Sequence, residues 1–113
     1  MDVERFVAER LMDITGIKAV LEVPDLRPDE FVSVERTGGP EMRFSDKPTL
    51  AVQSWAKTRR RASEMARSVN NALKGLMALD CVFAVDIEKT YRWPDPKSGH
   101  ERYQTVVNLA IYE

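Results

Sequence analysis

The sequence carries one cysteine and one histidine, and each scarcity closes off chemistry. With Cys81 alone, no disulfide can form within the chain and no paired thiol site exists, so a reducing cytoplasmic compartment is expected. His100 alone cannot build a two-imidazole metal site. Long apolar runs are missing too, and no window approaches the roughly eighteen residues of a membrane-spanning helix. The first residues, Met1-Asp2-Val3-Glu4-Arg5, alternate charge with apolar side chains, unlike the basic start and unbroken apolar stretch of a secretory signal. An excess of either charge is also lacking. Seventeen Lys and Arg against eighteen Asp and Glu leave a net charge of -1, so no bulk field draws the whole molecule to nucleic acid or an anionic membrane.

What is present fits one small domain over residues 1–113. A chain of this length buries about 65% of its unfolded surface, enough for one core. Val3, Phe6, Val7, Leu11 and Ile14 recur at spacings of three and four, which predicts a helix from about Val3 to Ile14, with Asp2 as N-cap and Gly16 as stop. Short strands are expected over Lys18–Val23, ended by Pro24, and over Phe31–Glu35. Thr37-Gly38-Gly39-Pro40 then breaks the chain, because glycine permits positive φ and proline removes a hydrogen-bond donor.

After Pro48, alternation in Leu50–Trp55 predicts a third strand. It passes almost directly into a helix from about Lys57 to Leu76, where Ala62, Met65, Ala66, Val69 and Leu73 keep helical spacing. Cys81, Phe83, Val85 and Ile87 alternate towards Tyr91 and Trp93, and a last strand covers Tyr103–Tyr112 with Thr105, Val107, Leu109 and Ile111 on one side. The expected fold is α+β in the order α-β-β-β-α-β-β: a mostly antiparallel sheet of four to five strands, two flanking helices and a closing hairpin. Internal repeats and low-complexity tracts are absent.

No constellation points to catalysis, a cofactor or a metal. His100 follows Ser98-Gly99 in a predicted loop and reads as a solvated side chain. Cys81 reads as a small packed residue, since its one conceivable base is His100. Asp86 and Glu88 on one strand face, with Asp95 in the next loop, need no role beyond solvation, although paired carboxylates can do acid-base work or bind metal. Ser54, Ser63 and Ser68 lack the glycines of a nucleophile elbow. The Gly38-Gly39 loop lacks the Lys-Ser or Lys-Thr that follows a phosphate cradle.

The candidates are therefore contact residues. Lys57, Arg59, Arg60 and Arg61 cluster at a helix N-terminus, where positive charge opposes the macrodipole. They read as a solvated face, as arginines pairing with a neighbour's carboxylates, or as a phosphate-binding patch. Trp55, Trp93 and Tyr103 are aromatic candidates, since such residues anchor interfaces, with core packing as the alternative.

Taken together, the strand ending Val34-Glu35-Arg36-Thr37-Gly38-Gly39, the run Asp46-Lys47-Pro48-Thr49-Leu50-Ala51-Val52-Gln53-Ser54-Trp55-Ala56, and Pro94-Asp95-Pro96 before Arg102-Tyr103 resemble the tail terminator proteins of long-tailed bacteriophages. The likeness covers roughly Phe31 to Ile111, and it rests on joint order and spacing. It implies a structural, non-enzymatic virion protein without cofactor, made in the host cytoplasm and placed in the tail or neck. There six copies would ring the head-proximal end of the tail tube, stop its growth and help join tail to head. Implied partners are further copies of the chain, which can stay monomeric in solution, the major tail protein and head-tail connector proteins. DNA would be cargo, and no membrane is involved. Candidate contacts are the loops 37–45 and 94–101, with Thr37, Gly38, Gly39, Pro94, Asp95 and Pro96, and outside them Arg36, Trp55, Arg59, Arg60, Trp93 and Tyr103. Another connector protein, a small nucleic-acid-binding module using Lys57–Arg61, and a small enzyme using Asp86, Glu88, Asp95 or His100 stay open as alternatives.

Overall fold

A computed structural model describes residues 1–112. Helix α1 covers Val3–Thr15; the Asp2 carboxylate caps it by accepting from Arg5 N, and Gly16 closes it at φ 73°. Strands β1 (Ala19–Val20), β2 (Phe31–Gly38), β3 (Ser45–Asp46) and β4 (Thr49–Ala56) follow. Helix α2 (Arg59–Gly75), capped by the Thr58 hydroxyl, leads through a short turn of 3-10 helix into the hairpin of β5 (Val82–Arg92) and β6 (Glu101–Tyr112). The fold is α+β with six strands, and the antiparallel closing hairpin is as expected.

The sheet is antiparallel except where β1 lies parallel to β2. Strands β3 and β4 pair the same edge of β6 in one continuous register, from Ser45 opposite Tyr112 to Ala56 opposite Glu101. They are one ribbon interrupted at Lys47-Pro48, where the proline has no N–H to donate. The expected third strand therefore begins earlier than Leu50, and Pro48 still serves the ladder by accepting from Leu109 N at 3.0 Å.

Both helices cover one face of this sheet. Val7 and Leu11 of α1 and Met65, Val69 and Leu73 of α2 meet Val32, Val34, Leu50, Val52, Val107, Leu109 and Ile111 in one buried cluster. Asn70 pins α2 to the hairpin by donating to Thr90 Oγ1 (3.0 Å) and accepting from Thr105 Oγ1 (2.7 Å).

Strand β5 departs from simple alternation. Its register shifts between Val82 and Ala84, and again between Ile87 and Lys89. Each bulge inserts a residue and flips which face the following side chains occupy. Val82 is therefore buried, whereas Phe83, expected on the same side as Val85 and Ile87, is exposed.

The uncovered face carries a polar row that crosses four strands. Trp55 Nε1 donates to Ser33 Oγ (3.0 Å), Ser33 to Gln53 Oε1 (3.1 Å), Gln53 Nε2 to Gln104 Oε1 (2.7 Å), and Gln104 Nε2 to the Tyr91 hydroxyl. Ser33, Gln53, Gln104 and Tyr91 are direct register partners, so a slip of any one strand would break each link that strand makes in the row.

Candidate interface surfaces

The two loop regions singled out in the sequence sit at opposite ends of the sheet. Phe31 pairs Trp55 at one end of β2 and Gly38 pairs Thr49 at the other, roughly 24 Å away for eight strand residues.

At the Gly38 end, Arg36 closes the loop from within. Its guanidinium donates to both oxygens of Asp46 at 2.8 Å, to Gly38 O at 3.1 Å and to Gly39 O at 2.9 Å. Asp46 is buried, and the hydrogen bonds from Arg36 hold its carboxyl below the usual range. Gly39 sits at φ 93°, and a Cβ there would lie 2.0 Å from the Lys47 carbonyl, so this close approach of two backbones requires glycine. Arg36 is thus an internal clip, and the surface it shapes is the hairpin 41–46, in which Met42 N bonds Ser45 O.

That hairpin exposes apolar side chains. Phe44 is 72% exposed, with Met42 also exposed nearby in the chain; Ser45 pairs Tyr112, whose ring lies 4.3 Å from Phe83. Neither Phe44 nor Met42 was singled out in the sequence. The available signal was two large apolar residues in Glu41-Met42-Arg43-Phe44-Ser45-Asp46, a segment otherwise polar and charged.

At the other end, aromatic rings and guanidinium groups form a stack. Phe31 and Trp55 lie nearly parallel with centroids 5.2 Å apart. Arg102 lies 4.7 Å from the Trp55 ring and 3.9 Å from the Trp93 ring, and Arg27 reaches Trp55 at 5.2 Å. Burial lowers the Arg102 pKa from its ordinary value. Trp55 is only 2% exposed, so of its two readings, interface anchor and core residue, it takes core packing and is not a surface contact; Trp93 is the exposed terminus of the stack.

His100 corrects a second expectation. It is buried, not solvated, with Nε2 3.0 Å from Pro28 O, Nδ1 3.2 Å from Ser98 Oγ, and its ring edge against Phe31 and Trp55. Loops 21–30 and 93–100 meet over it, which alternation along a strand could not reveal.

Asp95 ties these loops together. It accepts from Arg27 Nη1 (2.6 Å), Ser98 Oγ (2.9 Å) and Lys97 N (3.2 Å), with its bridge to His100 alongside. The hydrogen bond from Arg27 is the main reason its carboxyl is lowered to about 2 from 3.8. A carboxyl depressed on folding stabilises the protein above its unfolded pKa and loses that contribution as pH falls through its folded pKa. Stability supplied by Asp95 is therefore expected in full above about pH 4 and to fade towards pH 2. Allowing for partial exposure, about 1 kcal/mol is involved. Urea titrations of the parent and Asp95→Asn should show a gap at pH 6 that closes by pH 2; a gap constant with pH would refute this role.

The basic cluster is partly neutralised. Arg61 contacts Glu30 at 3.0 Å and Glu64 at 3.5 Å, Arg60 reaches Glu64 at 3.3 Å, and a hydrogen bond to Tyr103 raises the Arg59 pKa. Tyr103 is partly buried on the helix-covered face, away from Trp93. Pro94 and Pro96 flank Asp95 at the hairpin tip, and Thr37 Oγ1 bonds Thr49 O at 3.4 Å. Among the described residues no group of three or more His, Cys, Asp or Glu is placed to hold a metal, and no helix is long and apolar enough to cross a membrane.

No family pattern and no curated protein matches the sequence. Its fold, however, matches a chain described as "Virion of native gene transfer agent (GTA) particle", with TM-score 0.67 over 95% of this chain and 92% of that one, at 13% sequence identity.

Proposed function

We propose that the chain is a structural component of a phage-like particle, a tail terminator that caps the head-proximal end of the tail tube as a ring and helps join tail to head. The observation that carries this reading is the likeness in fold, over nearly the full length of both chains, to a protein of a gene transfer agent virion. It is supported by the rigid sheet with two differently built contact regions at its ends, which suits a subunit that must touch several neighbours. In this reading the partners are further copies of the chain, the major tail protein and connector proteins. The site is a set of surfaces, and the neck of the particle is its location.

The test is functional. Particles assembled without this chain are expected to carry tail tubes of uncontrolled length that fail to join heads, and added protein should cap purified tubes at one end under negative stain. Tubes of normal length joined to heads would overturn the proposal. Normal-length tubes that merely stay unjoined would favour another connector protein. The nucleic-acid alternative would need salt-sensitive DNA retention abolished by Arg59→Ala with Arg60→Ala.

A further inference from the structure

At the Trp55 end one buried titratable group has chemistry that a role in assembly leaves unused. His100 is buried, and both of its ring nitrogens face oxygen atoms, Nε2 at 3.0 Å from Pro28 O and Nδ1 at 3.2 Å from Ser98 Oγ. Counting protons decides what each contact can be. A carbonyl oxygen only accepts, so Nε2 carries a hydrogen. Ser98 has a single hydroxyl proton, and its oxygen lies 2.9 Å from Asp95 Oδ2, closer than to Nδ1. The ionised carboxylate has no proton of its own, so the hydroxyl proton belongs to that shorter contact. Ser98 Oγ is left as an acceptor, already receiving His100 N at 3.2 Å. The Nδ1 contact is then a hydrogen bond only if Nδ1 carries a proton as well.

We infer that the doubly protonated His100 ring is a latch: while charged it fastens loop 93–100 to loop 21–30 over Trp55, and when it loses a proton that end of the molecule slackens. The charge is relayed from Nδ1–H to Ser98 Oγ, and from the Ser98 hydroxyl to the carboxylate that Arg27 holds. It also strengthens the bond from Nε2 to Pro28 O, which joins the two loops. In the neutral ring Nδ1 turns a lone pair towards an oxygen whose proton is already engaged. One contact of the chain then has to break.

The charges around the ring are of both signs. Loop 21–30 brings Asp25 and Arg27, loop 93–100 brings Asp95 and Lys97, Lys57 precedes α2, and Arg102 of β6 lies over the neighbouring Trp55 ring. Asp29 and Glu30 line an adjoining cavity with Lys57 and Arg61. Carboxylates favour a charged ring and the cations oppose it, so the field alone does not place the second proton. The two oxygen acceptors do. His100 also borders a cavity of about 410 Å³ through which protons can reach it. A proton held more firmly in the folded chain than in the unfolded one stabilises at low pH, and that stability is lost as the ring titrates with rising pH. At the acid end the latch fades with protonation of Asp95, whose carboxyl is lowered to about 2.

Because the chain has one histidine, nitrogen-15 NMR of the whole protein reads this ring without overlap. At about pH 6 both ring N–H protons should be visible, slowed in exchange by their partners, and by about pH 8 the Nδ1 proton should be lost while Nε2 keeps its own. The amides of Asp95 and His100 bond His100 O and Ser98 Oγ. Over the same range they should lose at least about tenfold in protection from hydrogen exchange, after correction for the intrinsic rate. Ser98→Ala removes the relay and should move the midpoint of the ring's titration down by about one pH unit or more, and Ser98→Thr, which keeps a hydroxyl, should restore most of that shift. If Ser98→Ala disturbs folding by circular dichroism, Asp95→Asn tests the far end of the relay and should move the midpoint in the same direction. A parent ring with a single proton at the lower pH, a midpoint unmoved by loss of the relay, or amide protection indifferent to the ring's titration would each overturn the inference.

Discussion

Replacing Arg36 with methionine is expected to lower folding stability by about 3 kcal/mol. The substitution keeps much of the side chain's apolar bulk, but it strips Asp46 of both guanidinium hydrogen bonds while the carboxylate stays buried. Leaving one member of a buried pair uncompensated is far costlier than never having built the pair, and removal of the partner typically costs about 3–5 kcal/mol. The lower end applies because the Arg36 side chain is 26% exposed, so water can approach.

The pH dependence of that loss has a definite sign. Asp46 is depressed by Arg36, so the parent's advantage is present above the normal carboxylate pKa and fades as pH falls through the lower folded value. In the variant an unpaired buried Asp46 should instead favour its protonated form. Chemical denaturation should therefore show the gap between parent and variant largest near neutrality and smaller below pH 4. Arg36→Met combined with Asp46→Leu should recover most of the loss, since removing both charges leaves neither stranded. A single substitution costing under about 1 kcal/mol would mean that Asp46 is better solvated than its burial indicates.

These residues also show how far the sequence was legible. Helix α2 could be placed because Met65, Val69 and Leu73 repeat with the helix period, and the closing hairpin because two long strand signals flank a proline-punctuated loop. The break was legible at Gly39-Pro40, but strand β2 runs past the expected Glu35 through Thr37 and Gly38, because Gly38 still pairs Thr49 across a register shift. The clip that closes the loop was not legible: Arg36 and Asp46 are ten positions apart, and only the register that joins β3 to β6 brings the carboxylate under the guanidinium. Strand β5 misled for a different reason. A bulge costs one residue and leaves no compositional mark, so alternation read straight through Val82–Ile87 assigns Phe83 to the wrong side. Leu26, Arg27 and Pro28 were read as turn residues, and nothing local says that Arg27 reaches Asp95 or that the Pro28 carbonyl accepts from His100 Nε2 across 72 positions.

Trp55→Ala should be the most damaging single change considered, at about 4 kcal/mol. Sequence alternation left this residue divided between surface and core because it falls opposite Leu50, Val52 and Ser54 on the strand, on the face the helices do not cover. The structure buries it by another route: loops 21–30 and 93–100 fold back over that face, and Phe31, His100, Arg27 and Arg102 surround the ring. Truncating a buried aromatic to alanine typically costs about 3–5 kcal/mol through lost transfer energy and the cavity left behind. The Nε1 bond to Ser33 is lost too, which removes the end link of the polar row across the sheet. Against a total stability of about 5–15 kcal/mol, a loss of this size is a large part of the whole. Trp55→Phe should cost less, about 2 kcal/mol, because it keeps a ring against Phe31 and forfeits the indole N–H and part of the volume. Urea unfolding followed by far-UV circular dichroism would measure both. The same alanine variant should also loosen Arg102 and with it the Trp93 ring that Arg102 stacks on. If Trp55→Ala lowered stability by less than about 1 kcal/mol, the stack could not be the support on which that end of the molecule is built.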